Sequence, residues 1–328
     1  MAGDSVIYSA SDLASAARCE YALLREFDAK LGRGERVSVT DELLERTASL
    51  GEEHEQRRLD QLRDEHDGDV AVIGRPFPFT VENITVAAAQ TRRAIDRGAP
   101  VIYQAAMFDG RFVGFADFLV RRDGRYEVSD TKLARSAKVT ALLQIAAYAD
   151  ALSDAGIPVA QQAELVLGNG TAVNYRVDEL IPVYREQRAR LQQLLDHHYA
   201  SGVPVRWEDD NVRACFRCPV CEEQVRATDD LLLIAGMRVT QRAKLIDAGI
   251  TTLNELATYT GPVDNVSARS LAKLVAQADL QVRQSDAGTP QFEVADPQPL
   301  ALLPNPDEGD LFFDFEGDPL WTADGVDW

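Results

Sequence analysis

Three apolar-rich runs divided by Asp-Gly pairs constrain this chain more than any other feature of its sequence. "VIYQAAMF" leads to Asp109-Gly110, "RFVGFADFLVR" leads to Asp123-Gly124, and "RYEVSDTKL" closes the set. Asp-Gly accepts the positive φ that a tight hairpin needs, so the stretch predicts an antiparallel β-meander. Helical patterns lie on both sides of it. One helix is expected over the first 30 residues, capped by Ser9 or Ser11 and carrying Cys19. A second runs from about Asp41 to Glu65, with Leu43, Thr47, Leu50 and His54 on one face. Residues 70–74 read as a short strand, 82–96 as a helix, and 139–156 as a helix stopped by Gly156. Residues 163–177 read as a hairpin turning at Asn169-Gly170, followed by a long amphipathic helix. The expected fold class is α/β, a central β-meander flanked by helices.

The chain has 328 residues, 45% hydrophobic and 27% charged, which allows two domains and a sizeable core. Its start lacks a basic segment followed by an apolar run, and no apolar stretch approaches the ~20 residues of a membrane span. A cytoplasmic protein is therefore expected. The net charge of −19 argues against a broad basic nucleic-acid surface but leaves room for a local basic groove. After Arg226 the texture changes to short helices joined by Gly turns, then to a Pro-, Asp- and Gly-rich stretch. The expected domains are 1–228 around the meander, a helical domain over 229–283, a linker over 284–309, and a single apolar strand with a tail over 310–328.

The meander carries charge where a core should be apolar. Asp117 sits mid-strand in "GFADFLV", and Asp130 and Lys132 sit in "VSDTKL". Residues two apart on a strand share a face, so Asp130 and Lys132 project together, and an antiparallel neighbour can bring Asp117 alongside. Adjacent carboxylates repel, and a divalent cation with oxygen ligands, Mg²⁺ or Mn²⁺, would relieve that repulsion. His54 can complete the ligand set, and Gln144 and Tyr148 share one face of the following helix. Taken singly, each has a plainer reading: a turn aspartate, a solvated Asp-x-Lys pair, a core histidine.

Three of the four cysteines, Cys215, Cys218 and Cys221, crowd into "CFRCPVC", while Cys19 lies near the other end. In a reducing compartment such a cluster reads as metal-binding or catalytic. Four thiolates suit Zn²⁺ or a [4Fe–4S] cluster. The spacing, with Pro219 inside it, is nearer to a cluster run than to a zinc ribbon. A zinc site built from the triplet and His197 or His198 is the alternative.

The ordered set resembles the RecB-like nucleases of the PD-(D/E)XK superfamily. "GEEH" is similar to their Gly-His motif, "GFADFLV" to the motif bearing the first metal Asp, "VSDTK" to the Asp-x-Lys motif and "QIAAYA" to the Gln-x-x-x-Tyr motif. Family members commonly place three residues between Gly and His; Gly51 and His54 have two. The resemblance covers roughly residues 5–226. It implies a restriction-endonuclease-like core in which His54, Asp117 and Asp130 bind metal with help from the Thr131 carbonyl. Lys132 is then catalytic, and Gln144 and Tyr148 position the DNA strand or the lysine. A subset of these nucleases holds an iron–sulfur cluster with one cysteine before the core and three after it. The order of Cys19, Cys215, Cys218 and Cys221 matches that subset, which implies a structural [4Fe–4S] cluster stapling the two ends.

Residues 231–257 resemble a helix-hairpin-helix module, which implies turns at Gly236 and Gly249 and phosphate contacts aided by Arg238, Arg242 and Lys244. A plain helical bundle is the alternative. "FFDFEGDP" is similar to the first motif of RNase H-like exonucleases, with Asp314 and Glu316 as metal residues and the fold truncated after one strand. Longer relatives join such parts to a helicase, so the resemblance implies the amino-terminal portion of that arrangement and a helicase domain or subunit as partner. The expectation is a Mg²⁺- or Mn²⁺-dependent exodeoxyribonuclease acting on single-stranded DNA or DNA ends in repair or recombination. The alternative is a non-catalytic DNA-binding or scaffold subunit; an iron–sulfur electron carrier or sensor would leave the Asp and Lys set unexplained.

Overall fold

Ser9 ends a two-residue strand, β1 (Tyr8–Ser9), and caps helix α1 (Ala10–Arg18) through a reciprocal box: its hydroxyl accepts the Asp12 N–H at 3.1 Å, and Asp12 Oδ2 accepts the Ser9 N–H at 2.8 Å. The computed structural model describes residues 6–37, 42–294 and 296–314. One continuous helix was expected over the first 30 residues, and here the structure differs. Cys19 is extended (φ −164, ψ 107) and separates α1 from α2 (Glu20–Lys30). At the break the buried Cys19 thiol accepts the Ala22 N–H at 3.4 Å and so caps α2. An unbroken helix would have held that thiol on the helix surface.

The chain divides after Arg213 into two compact units. In the first, α3 (Glu42–Glu65) precedes β2 (Val70–Val72) and α4 (Val81–Asp96). The meander follows as β3 (Val101–Phe108), β4 (Phe112–Arg122) and β5 (Arg125–Lys132). Then come α5 (Val139–Asp154), β6 (Gln162–Leu167), β7 (Ala172–Arg176) and α6 (Val177–Ser201). The seven strands form one sheet in the order β2-β3-β4-β5-β6-β7, with β1 pairing on β4. This is the α/β architecture expected, a central sheet flanked by helices.

The β3–β4 and β4–β5 pairs are antiparallel, as the Asp-Gly turns require. The β2–β3 and β5–β6 pairs are parallel, and each is bridged by a helix, α4 and α5, as parallel neighbours need. Helix α5 buries nearly its whole circumference, from Ala141 to Leu152, because it is packed by the sheet on one side and by α1 and α6 on the other. Ile102, Leu119, Ile145 and Leu165, all fully buried, mark the centre of this core.

The second unit holds α7 (Pro219–Ala227), a 3₁₀ turn at Leu231–Leu233, α8 (Val239–Asp247), α9 (Leu253–Ala257) and α10 (Ala268–Ala287). Leu231, Leu245, Leu256 and Leu274 form its small core. Gly236 and Gly249 have φ of 83° and 81°, a conformation other residues rarely adopt, so they do make the turns. Arg242, offered as a phosphate contact, is only 7% exposed. Its guanidinium is bound to the buried Asp230 carboxylate and lies over the Phe216 ring, so it is a structural cation and not a surface one. Lys244 donates to the Asn265 carbonyl at 2.8 Å, and Arg238 is exposed. Residues 310–314 form no strand; Glu316 and the remainder of the strand expected over 310–318 lie outside the described residues. Among the described residues, no helix is long and apolar enough to cross a membrane.

Candidate active site and cysteine group

The β4–β5 ladder ends at Phe118 opposite Ser129, so one step further Asp117 stands opposite Asp130. At that step a side chain replaces the ladder. Asp117 Oδ2 accepts the Thr131 N–H at 2.8 Å and the Thr131 hydroxyl at 2.7 Å. Asp130 is 2% exposed and ion-pairs with the Lys132 ammonium, whose side chain is 32% exposed. Asp130 Oδ2 is buried and has no hydrogen bond of good geometry besides that ion pair. Burial first, and the Asp117 charge second, push the Asp130 carboxyl up to about 7 against the pull of Lys132. Burial works to lower Lys132, but Asp130 and then Asp117 outweigh it and hold the ammonium above the usual lysine value.

Glu55 is the residue sequence reasoning missed. It sits on α3 beside Asp117, and burial, then the Asp117 charge, raise its carboxyl against hydrogen bonds from Tyr103 and Gln104 and the charge of Arg75. Tyr103 is pushed up to about 12, by burial first and then by Glu55. The Gln104 amide donates to Glu55 Oε1, and Gln104 Oε1 accepts from Arg75 Nε at 3.1 Å. Gln104 faces Asp117 at the one step missing between Tyr103↔Phe118 and Ala105↔Ala116 in the β3–β4 ladder. Its φ is 55°, strained backbone for a non-glycine residue, as often found at functional sites. A signal for Glu55 was present: it stands four residues beyond Gly51, with the three residues Glu52, Glu53 and His54 between them, the separation that Gly51 and His54 lack.

His54 is buried on α3, as its place on the apolar face predicted, but both ring nitrogens are engaged away from the aspartates. Nε2 lies 3.0 Å from the Val166 carbonyl, and Nδ1 lies 3.4 Å from Arg57 Nη2. Its cavity, about 380 Å³, is lined by Arg57, Arg58, Gln61 and the β6–β7 turn, without Asp117 or Asp130. Tyr148 is buried on α5, its phenol raised well above the usual value by burial and then by Asp130 and Asp117. Its ring packs on Gly114 of β4 so closely that a Cβ there would lie 2.8 Å from Tyr148 and from Phe112. Gln144 is half-buried one turn earlier on α5.

The structure thus gathers Asp117, Asp130, Lys132 and Tyr148, adds Glu55, and sets His54 to one side. The chain matches the family model described as the PD-(D/E)XK nuclease superfamily over residues 8–222, more than half of its length. The chain belongs to that superfamily. Comparison with curated proteins finds no match. Membership supports a hydrolytic nuclease with nucleic acid as its substrate class. The residues of this superfamily member fit a hard cation: opposed carboxylates, a third carboxyl nearby, and a buried Asp130 oxygen whose partner is the Lys132 ammonium.

The cysteines form a second donor set. The Sγ atoms of Cys19, Cys215, Cys218 and Cys221 lie within 4.8 Å of one another, a closeness that no other group of three or more His, Cys, Asp or Glu ligand atoms reaches among the described residues. Cys218 occupies the N-cap position of α7 and Pro219 opens the helix, which places the triplet at a helix start where thiolates are favoured. The fourth donor beside the triplet is Cys19 and neither His197 nor His198, whose Nε2 lies 2.7 Å from Asp28 Oδ1. Four sulfurs this close fit a thiolate metal centre, of zinc or of iron and sulfide.

Proposed function

We propose that this superfamily member is a Mg²⁺- or Mn²⁺-dependent deoxyribonuclease that hydrolyses phosphodiester bonds in single-stranded DNA or DNA ends, in repair or recombination. The observation that carries the reading is the buried Asp130 carboxylate held opposite Asp117 beside an ammonium. Folding forces these charges together at a cost, and a bound cation would offset it. Asp117, Asp130 and Glu55 would hold the ion, which when bound would supply Lewis-acid stabilisation of the phosphodiester and lower the pKa of water. Lys132 stays protonated and sets a positive charge where negative charge develops during hydrolysis. Thr131 orients Asp117 through two hydrogen bonds to one oxygen, and Tyr148 closes the floor against Gly114. Asp117→Asn, Asp130→Asn and Lys132→Ala should each abolish Mn²⁺-dependent cleavage of labelled DNA while circular dichroism shows an intact fold; undiminished cutting by all three would overturn the site.

The cysteine group is proposed to be a structural metal centre. The order of the cysteines along the chain supports a [4Fe–4S] cluster. The 3.8 Å between Cys215 Sγ and Cys221 Sγ supports a single zinc ion, because a tetrahedron with Zn–S bonds of ~2.3 Å has an edge of about 3.8 Å. A four-iron cluster binds each thiolate to a different iron and needs the sulfurs farther apart. Anaerobic purification followed by iron, sulfide and zinc analysis decides between them.

A further inference from the structure

The segment between β2 and α4 presents a surface that folding alone does not explain. Phe77 is 94% exposed and Phe79 is 62% exposed. Phe79 packs against Phe115, ring centroids 6.1 Å apart, and Phe115 lies two residues before Asp117 on the same face of β4. Phe79 and Phe115 therefore link this exposed segment to the strand that carries Asp117. Beside it runs a groove of about 730 Å³ lined by Val72, Arg75, Phe77, Asn83, Arg93 and Arg97 among others, with no acidic side chain in its lining. Arg93 in the last turn of α4 and Arg97 at its C-cap are four residues apart, exposed, and in no ion pair with a described residue. In a chain of net charge −19 a groove whose charged lining residues are all arginines stands out. Arg75 ties the groove to the site, because it bonds Gln104, which bonds Glu55.

Cations along a channel with unburied aromatic rings beside them are the chemistry of single-strand binding: guanidinium groups track phosphates, and ring faces stack on unpaired bases. A duplex offers no free base faces to Phe77 and Phe79. We propose that this groove binds the strand of single-stranded DNA leading into the carboxylate site, with Phe77 and Phe79 as stacking residues and Arg93 and Arg97 as phosphate contacts. The inference rests on the nuclease reading for the fate of the strand, but not for its binding.

The test uses the full chain, a fluorescein-labelled oligo(dT) of about 20 nucleotides, and EDTA to prevent cutting. Fluorescence anisotropy should show Phe77→Ala/Phe79→Ala and Arg93→Glu/Arg97→Glu each weakening binding at least tenfold. The second pair should also flatten the slope of log K against log salt by about 1.4, as expected for two lost phosphate contacts. Both variants should cleave the small diester bis(p-nitrophenyl) phosphate with Mn²⁺ as the parent does. Unchanged affinity in either variant, equal losses on a blunt duplex, or a change confined to self-association through the β2 edge overturns the proposal. Residue-dependent binding by a protein that never cuts would leave this inference standing and remove the nuclease reading. Cutting with unaltered affinity would do the reverse.

Discussion

Thr131 gives both its backbone N–H and its hydroxyl to a single oxygen of Asp117, at 2.8 and 2.7 Å. The bond runs from β5 to β4 at the step where their ladder stops, so the carboxylate is held by the sheet itself and not by its own rotamer preference. Thr131→Val keeps the shape and removes the hydroxyl bond. Its expected effect is a 10- to 100-fold loss of Mn²⁺-dependent cleavage, the usual scale for a residue that orients a metal ligand. Steady-state assays should show the loss in kcat, with the thermal midpoint little changed.

Glu55 is expected to matter as much as the aspartates. Glu55→Gln should lower cleavage at least 100-fold and weaken Mn²⁺ binding measured by calorimetry. Gln104→Gly keeps the positive φ that the strand needs and removes the amide that bonds Glu55. It should reduce cleavage about tenfold without loss of stability. A Glu55→Gln protein with parental activity would return the third ligand position to His54.

Asp130 makes metal-free stability depend on pH. Its carboxyl titrates at about 7 when folded, against an ordinary 3.8. Between these values the folded protein keeps a proton that the unfolded chain has lost, so stability falls as pH rises from about 4 to about 7 and stays low above. In EDTA, Asp130→Asn should be more stable than the parent by about 1–3 kcal/mol at pH 8 and by much less at pH 4.5, read from urea denaturation. Saturating Mn²⁺ at pH 8 should stabilise the parent and not the variant.

In the second unit, Arg242 and Asp230 are both buried and bound to each other. Arg242→Ala strands a buried carboxylate and should destabilise the unit by about 3–5 kcal/mol. Arg238→Ala, on the exposed surface, should change stability by less than about 0.5 kcal/mol. Hydrogen exchange in α8 and α10 should accelerate in the first variant only.

The local grammar of this protein was readable from its residues. Asp-Gly turns demand hairpins because the backbone there must take positive φ, and β4 and β5 lie where those pairs put them. A two-residue period puts Asp130 and Lys132 on one face, and a spacing of four puts Gln144 under Tyr148, because side-chain direction follows from strand and helix geometry. Such rules act within a few residues, so a single chain displays them. Cys19 shows their limit: the residues around it favour helix, yet the backbone opens there.

What the sequence by itself determined was which residues carry charge or sulfur and which element each rides on. Only the tertiary structure decided which of them meet. His54 and Glu55 are neighbours on α3, but the parallel pairing of β5 with β6 places the Val166 carbonyl against the histidine, while strained Gln104 draws the glutamate to Asp117. Those partners come from strands far along the chain, and their positions depend on how helices and sheet pack. No periodicity in the sequence encodes that packing.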